Sequence, residues 1–399
     1  MTKKHAEGPG TRLVQAGRRP SPDPRFINPP VHHASTILFD GLEGLDAVSE
    51  IEPGDGLTYA VHGTPGTYAL ETALAEIEGG FRTRLCSAGA QALAGPLLAF
   101  LSAGDHLLVT DAVYGNTRQL ATGMLARFGI AVDFYDPLIG AGIAELMRPQ
   151  TRVVYTESPG SQTFEVQDLP AIADVAHAAG AIVMMDNTWA SPLYFAPFEH
   201  GVDVSIQAVT KYVSGHGDLV MGAVTTTEAL YPQLRDGWYN LGLSPSPDDS
   251  YLALRGLRTM HLRLARHWET GVALGSWLRD RAEVSEVVHP AMPHDPGHAI
   301  WARDFSGAGG LFGFWLDEGL SGRRAQEAFF GSLELFGIGF SWGSYQSMIM
   351  PVSPRRTASL WPRPGQPTGQ MVRIHAGLED LDDLTADLTQ AFAAARTAA

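Results

Sequence analysis

Cysteine and basic residues are both scarce in this 399-residue chain. The single cysteine, Cys86, excludes an intrachain disulfide, and its position after an apolar leucine favours a buried core residue over a nucleophile. The chain has 28 Lys and Arg against 43 Asp and Glu, which gives a formal net charge of -15. Because phosphate binding needs basic clusters, this balance disfavours nucleic acid as a partner.

Long apolar runs and metal-binding spacings are also missing. No apolar run is long enough to span a bilayer, so no membrane association is expected. No apolar stretch follows Lys3 and Lys4, so we expect no secretory signal and a cytoplasmic location. The 14 histidines fall in no recognised spacing such as H-E-x-x-H, and a metal site is not expected.

The order of local patterns predicts an α/β protein with three parts. Residues 1–58 are rich in proline and read as irregular, which indicates an N-terminal arm that would lie on a neighbouring subunit. Strand and helix patterns then alternate, and Ala181 to Met185 is a continuous apolar run typical of a strand buried on both faces. This alternation predicts a mostly parallel sheet covered by helices. We place an arm at 1–63, a large domain at 64–256 and a smaller α+β domain at 257–399.

Two polar residues follow predicted strands, where open α/β sheets bind ligands. Asp186 directly follows the apolar run, and Lys211 follows the next strand, in Ser205-Ile-Gln-Ala-Val-Thr-Lys. Taken singly, Asp186 suits a helix cap or a solvated acid, and Lys211 suits a surface lysine. Together they suit pyridoxal 5′-phosphate (PLP): the lysine would hold the aldehyde as an imine, and the aspartate would keep the ring nitrogen protonated.

Two further features are compatible with that cofactor. The small residues of Ser87-Ala-Gly-Ala-Gln-Ala precede a predicted helix, whose free backbone N–H groups can hold a phosphate. Tyr114 follows another strand and can stack on an aromatic ring. The first of these signals is weak alone, because small residues before a helix are common.

Several motifs resemble those of the Cys/Met-metabolism PLP-dependent enzymes, in order and over nearly the whole chain from about Thr36. Within that family they are most similar to the cystathionine β-lyase branch. The motifs are Glu157-Ser-Pro-Gly-Ser, Ile182-Val-Met-Met-Asp-Asn-Thr-Trp-Ala, Asp203-Val-Ser-Ile-Gln-Ala-Val-Thr-Lys-Tyr, Arg255-Gly-Leu-Arg-Thr-Met, Ser341-Trp-Gly-Ser-Tyr-Gln-Ser and Val372-Arg-Ile-His-Ala-Gly-Leu-Glu-Asp. The resemblance implies the aspartate-aminotransferase-like fold (fold type I), PLP as cofactor and an amino-acid substrate.

The resemblance also implies roles for individual residues. Lys211 would carry the cofactor and act as general base, Asp186 would pair with the ring nitrogen, and Tyr114 would stack on the ring. Phosphate contacts would come from the backbone of Gly89 and Ala90 and the hydroxyl of Thr210. The substrate site would comprise Arg373 on the α-carboxylate, together with Ser341, Trp342 and Tyr239. Tyr59 would be supplied by the neighbouring subunit, which implies a homodimer at minimum and a tetramer by analogy.

Two positions depart from the family pattern. An arginine that contacts the phosphate across the subunit interface is replaced by Val61, followed by His62, and a serine near the lysine is replaced by Ala208. We expect weaker PLP retention as a result, with His62 as a partial substitute.

The resemblance also favours β-elimination over γ-elimination. The γ-acting members of the family usually carry a leucine at the position of Trp342 and a His-Pro-Ala stretch soon afterwards, where this chain has Ser347-Met-Ile-Met-Pro-Val. The expected reaction converts L-cystathionine to homocysteine, pyruvate and ammonia. Alternatives are a γ-lyase, a cysteine desulfhydrase, a sulfhydrylase-type transferase, or a PLP-binding regulatory protein with little turnover.

Overall fold

A computed structural model describes residues 7–18, 26–52 and 54–399. A seven-stranded sheet forms the centre of the larger part. Its strands, in chain order, are β1 (Arg82–Cys86), β2 (His106–Thr110), β3 (Ala131–Tyr135), β4 (Thr151–Glu157), β5 (Ile182–Asp186), β6 (Val204–Gln207) and β7 (Gly222–Thr226). They lie side by side in the order β1-β7-β6-β5-β4-β2-β3. All neighbours pair in parallel except β7, which is antiparallel to both β1 and β6.

The continuous apolar run in β5 reflects burial on both faces of this sheet. Val183 and Met185 belong to one cluster of buried side chains, and Met184 belongs to another on the opposite face. Strands covered by helices on both faces need apolar residues at every position. The mostly parallel sheet predicted from the sequence is confirmed.

A second, five-stranded sheet organises the C-terminal part. Its strands are β8 (Val284–Val288), β9 (Leu311–Leu316), β10 (Gly337–Ile338), β11 (Met348–Pro351) and β12 (Met371–His375). They lie in the order β10-β11-β12-β9-β8 and pair antiparallel, except for the parallel pair β10 and β11. Phe312, Phe314 and Leu316 of β9 pack in one core with the helices on this sheet.

The α-helices of the described residues occur throughout the chain. They are Pro9–Gln15, Gly41–Asp46, Pro65–Glu78, Gly89–Phe100, Gly115–Gln119, Leu169–Ala178, Ser191–Tyr194, Tyr231–Asn240, Pro247–Arg258, Met260–Arg279, His298–Asp304, Arg323–Gly331 and Leu381–Ala398. Short 3₁₀ segments are Ala47–Glu50, Ala60–His62, Gly140–Leu146, Pro197–His200 and Glu318–Leu320, and Leu120–Leu125 is a π-helical segment. None of the helices described is long and apolar enough to cross a bilayer.

The prediction that residues 1–58 are irregular is wrong for two stretches. Pro9 occupies the first turn of the helix Pro9–Gln15, where its missing N–H costs nothing. Leu13 of this helix is fully buried in the chain's own core, and Arg258 donates to the carbonyl of Leu13 at 2.6 Å. The second stretch is Gly41–Asp46. Pro20, Pro22 and Pro24 lie outside the described residues.

The division near Gly256 stays a prediction. Gly256 lies within the helix Pro247–Arg258. A Cβ atom at this position would lie 2.2 Å from the carbonyl oxygen of Ser214, so the absence of a side chain lets this helix approach the segment after Lys211.

Candidate functional site

The carboxyl ends of β4, β5 and β6 meet at one edge of the large sheet, as their parallel pairing requires. Glu157 ends β4 and lies opposite Asp186, which ends β5. Lys211 follows β6 by four residues. This edge therefore gathers two carboxyl groups and an amine from three neighbouring strands, and it is the edge at which open α/β sheets bind ligands.

Asp186 is a buried carboxylate that receives hydrogen bonds from its own loop. Thr188 donates to Oδ1 of Asp186 twice, from its N–H at 3.0 Å and from its hydroxyl. That hydroxyl in turn accepts the N–H of Ala208 at 2.9 Å. Burial raises the pKa of Asp186, whereas Thr188 and Lys211 lower it. The Thr188 contacts orient a carboxylate that can balance a buried cation.

Lys211 is placed as a reactive amine. Its Nζ donates to Oγ of Ser341 at 2.8 Å and lies 5.4 Å from the centre of the Trp342 ring. Burial and the neighbouring Arg373 lower the pKa of Lys211 to about 8, and Asp186 acts in the opposite direction. A desolvated lysine with a lowered pKa is the form that attacks a carbonyl.

The loop carrying Ser341 and Trp342 rests directly on Lys211. Ser341 has a left-handed φ of 82°, a conformation that a serine adopts only when its surroundings impose it. Gly343 has a φ of 85°, and a Cβ there would lie 3.1 Å from the backbone carbon of Lys211. The structure thus brings together three predicted site residues that are separated by about 130 positions in sequence.

Arg373 reaches the same loop from the small sheet. It lies in the middle of β12, and its Nη2 donates to the carbonyl of Ser341 at 3.2 Å and contacts Sδ of Met350 at 3.1 Å. Burial lowers its pKa to about 10. No carboxylate in 7–18, 26–52 or 54–399 forms an ion pair with it, so its planar fork can take an external carboxylate.

Tyr114 follows β2 and is held at the same edge. Its backbone N–H donates to Oε2 of Glu157 at 2.7 Å. Burial and the neighbouring Glu157 and Asp186 raise the pKa of its phenol, and Arg373 lowers it. The Tyr114 phenol thus interacts electrostatically with Asp186, Glu157 and Arg373.

A helix N-terminus completes this edge. The helix Gly89–Phe100 begins after Ala88, and no side chain caps it. A Cβ on Gly89 would lie 3.2 Å from the Cβ of Ala208, so this N-terminus adjoins the segment before Lys211. Its first N–H groups, at Gly89 and Ala90, suit an anion.

The Thr210 hydroxyl, predicted to bind phosphate, already has backbone partners. It donates to the carbonyl of Met221 at 3.1 Å and accepts the N–H of Met221 at 3.0 Å. A phosphate contact from Thr210 would replace the first of these bonds. Its predicted role therefore stays a proposal.

Tyr59 and Tyr239 lie in a second cluster. The His62 ring lies 6.2 Å from that of Tyr59 and 4.3 Å from that of Tyr239. The guanidinium of Arg84 lies 5.3 Å from the Tyr239 ring and donates to the carbonyl of His62. Burial and Arg84 lower the pKa of His62, which makes its ring a poor cation for a phosphate. The predicted partial substitution by His62 therefore lacks support.

Sequence reasoning missed three residues at this edge: Glu157, Thr188 and Gly343. All three lie inside the motifs that carried the family resemblance: Glu157 ends a strand, Thr188 lies two residues after Asp186, and Gly343 follows Trp342. Gly343 shows its importance only through its contact with Lys211.

These residues fit PLP. A buried carboxylate suits the ring nitrogen, an amine of lowered pKa suits the aldehyde, and an uncapped helix start suits the phosphate. Among the described residues no group of three or more His, Cys, Asp and Glu side chains is placed to hold a metal ion.

Comparison with known proteins agrees with this reading. A solved structure titled metB, from Corynebacterium glutamicum, superimposes with a TM-score of 0.87 at 28% identity and covers 97% of this chain and 98% of its own. A putative cystathionine β-lyase from Rhizobium johnstonii is 46% identical over 97% of this chain and 96% of its own length. An L-alanine/L-glutamate racemase from Wolbachia pipientis is 38% identical over 96% of each chain.

The fold and the site define a PLP-dependent enzyme of fold type I. The Cys/Met metabolism PLP-dependent enzyme family matches residues 10–393, and the chain belongs to that family.

Proposed function

We propose that this protein is a carbon–sulfur lyase of the cystathionine β-lyase type, which converts L-cystathionine to homocysteine, pyruvate and ammonia by α,β-elimination. The observation that carries the proposal is the position of the Lys211 amine, which interacts electrostatically with both Asp186 and Arg373. Lys211 thus has two charged neighbours: Asp186, an anion that suits a cofactor ring, and Arg373, a cation that suits the carboxylate of an amino acid. The 46% identity to the Rhizobium protein supports the β-lyase assignment.

Bound PLP supplies an electron sink that accepts the electron pair released when the α-proton of an amino acid is removed. Asp186 balances the positive charge of the ring nitrogen, and the Thr188 hydrogen bonds fix its direction. Arg373 binds the α-carboxylate and so fixes which bond at the α-carbon faces Lys211. The Nζ of Lys211 then takes the α-proton, because its lowered pKa makes it a base near neutral pH.

Product analysis tests the proposal. The PLP-loaded protein is incubated with L-cystathionine, and pyruvate, 2-oxobutyrate and free thiol are measured, with Lys211→Ala as the inactive control. We expect pyruvate and thiol in equal amounts. 2-Oxobutyrate would instead indicate γ-elimination, and no product with retained ligand binding would indicate a regulatory protein.

A racemase is the second candidate, favoured by the 38% identity to the Wolbachia protein. Racemisation uses the same removal of the α-proton but returns it to the other face, so the side chain is retained. Chiral chromatography after incubation with L-alanine or L-glutamate separates the two reactions, because the lyase proposal predicts no D-enantiomer from either.

We also propose a homodimer as the minimum unit, assembled into a tetramer. Tyr59 is half exposed, and the segment before it carries Ile27, Leu38 and Leu42 with exposures of 77%, 90% and 77%. Apolar side chains exposed to this degree on one segment favour burial against a second copy. Light scattering tests this, and a monomer that retains full activity would contradict it. The cytoplasmic location stays a prediction.

A further inference from the structure

Two buried carboxyl groups lie side by side beneath the candidate cofactor site. Glu157 and Asp186 are register partners on the parallel strands β4 and β5, so their side chains point to the same side of the sheet. Each is only 9% exposed. The proposed mechanism uses Asp186 and leaves Glu157 without a role.

The contacts of the two groups differ in kind. Asp186 has an electrostatic attraction to Lys211 and two hydrogen bonds from Thr188. Glu157 accepts the backbone N–H of Tyr114 at 2.7 Å. The charged and titratable groups that face this pair are Lys211, Tyr114 and the buried Tyr155. Lys211, the cation among these groups, stabilises a negative charge on Asp186.

Two adjacent buried carboxyl groups do not both ionise, because each negative charge disfavours the other in a poorly solvated site. Burial and the neighbouring Asp186 raise the pKa of Glu157 well above its usual range. The proton of the pair thus resides on Glu157, while Asp186 carries the charge. A protonated carboxyl still accepts a hydrogen bond through its carbonyl oxygen, so the contact with Tyr114 is compatible with this assignment.

We infer that Glu157 is a positioning residue: it anchors the main chain of Tyr114 beside the cofactor and carries the shared proton, which leaves Asp186 as the one anion of the pair. The inference rests on the proposed roles of Tyr114 and Asp186. It goes beyond the proposed function because it assigns a separate task, and a charge state, to a residue that the proposed mechanism does not use.

Two substitutions separate the two parts of this inference. Glu157→Gln keeps the size and the acceptor oxygen and makes no change of charge if Glu157 is neutral. Glu157→Ala removes the contact with Tyr114. Glu199→Gln makes the same chemical change at an exposed position and is the matched control. For each PLP-loaded full-length protein, the visible absorbance of the cofactor is recorded as a function of pH, and the midpoint of the change is determined. KM and kcat are measured on the same proteins.

We expect the absorbance midpoint of Glu157→Gln to equal those of the wild type and Glu199→Gln. We expect Glu157→Ala to keep that midpoint but to raise KM by about tenfold, equivalent to one net hydrogen bond of about 1.4 kcal/mol. A midpoint lowered by about one pH unit in Glu157→Gln would show that the substitution had removed a negative charge, which would contradict the neutral state of Glu157. An unchanged KM in Glu157→Ala would contradict the positioning role. If the alanine protein does not fold, the midpoint of the glutamine protein still decides the charge state. A wild type without any cofactor band would overturn the proposed function itself, which is a distinct result.

Discussion

Nζ of Lys211 donates to Oγ of Ser341 across 2.8 Å, and this bond joins the segment after β6 of the large sheet to the loop between β10 and β11 of the small sheet. Arg373 of β12 donates to the backbone carbonyl of the same serine. Ser341 is therefore the point at which the amine and the guanidinium approach each other, and their mutual repulsion contributes to the low pKa of the lysine.

The pH dependence of Lys211 reactivity follows from that arrangement. We expect the amine in cofactor-free protein to be modified by an amine-directed reagent with a midpoint near pH 8, the value to which burial and Arg373 lower its pKa. Arg373→Leu should raise the midpoint because it removes a positive neighbour, and Arg373→Lys should raise it less. Peptide mass spectrometry follows the modification at Lys211. A midpoint above 10 in the wild type would contradict the burial of this amine.

Replacing Arg373 by lysine tests its role toward the substrate. Lysine keeps the charge but loses the planar fork, so we expect kcat/KM to fall by about 30-fold to 1000-fold, which corresponds to about 2 to 4 kcal/mol for a buried charged pair. The cofactor absorbance should persist, because Arg373 is assigned to the substrate. Loss of the cofactor band together with activity would instead place Arg373 in the cofactor site.

Cofactor affinity should respond to position 208. Ala208 adjoins Gly89 at the start of an uncapped helix, so a hydroxyl at this position can reach an anion held there. We expect Ala208→Ser to bind PLP more tightly by about tenfold, the worth of one hydrogen bond to a charged group. Ala208→Cys is the matched control, because a thiol of similar size is a weak donor. Fluorimetric titration of the cofactor-free proteins measures this, and equal affinities would leave the weak-retention prediction without support.

Glu78 predicts a pH-dependent stability outside the site. This carboxyl is buried beneath β6, where Ser205 donates to it at 2.8 Å, and burial raises its pKa to about 7. The folded state thus binds a proton that the unfolded state has released, so stability falls as pH rises from the unfolded pKa through about 7.

Glu78→Gln should remove that part of the pH dependence. We expect it to gain on the order of 3 kcal/mol relative to the wild type between pH 5 and pH 8. Urea unfolding at both pH values and one protein concentration measures the gain. The exposed Glu145→Gln is the control, and an equal gain there would show that Glu78 is not the cause.

Much of the architecture of the site could be predicted from the sequence, because parallel strands buried on both faces leave continuous apolar runs. The run before Asp186 indicates the strand, and the residue that follows such a run lies at the ligand-binding edge. β7 escaped prediction, since Gly222-Ala-Val-Thr-Thr has neither a long apolar run nor alternation. Its antiparallel insertion between β1 and β6 depends on tertiary packing.

Contacts between distant segments were not predictable in the same way. The left-handed φ of Ser341 and the close packing of Gly343 on Lys211 exist only once both sheets are in place. The pairing of Glu157 with Asp186 likewise requires the register of β4 and β5, which no local pattern specifies.

Covalent trapping of the cofactor tests the central claim most directly. The chain has only three lysines, and Lys211 is the one beyond residue 4. Borohydride reduction of the PLP-loaded protein, followed by peptide mass spectrometry, should place the reduced cofactor on the peptide that contains Lys211 and abolish activity with L-cystathionine. A cofactor recovered only on Lys3 or Lys4, or full activity after stoichiometric labelling of Lys211, would contradict the account.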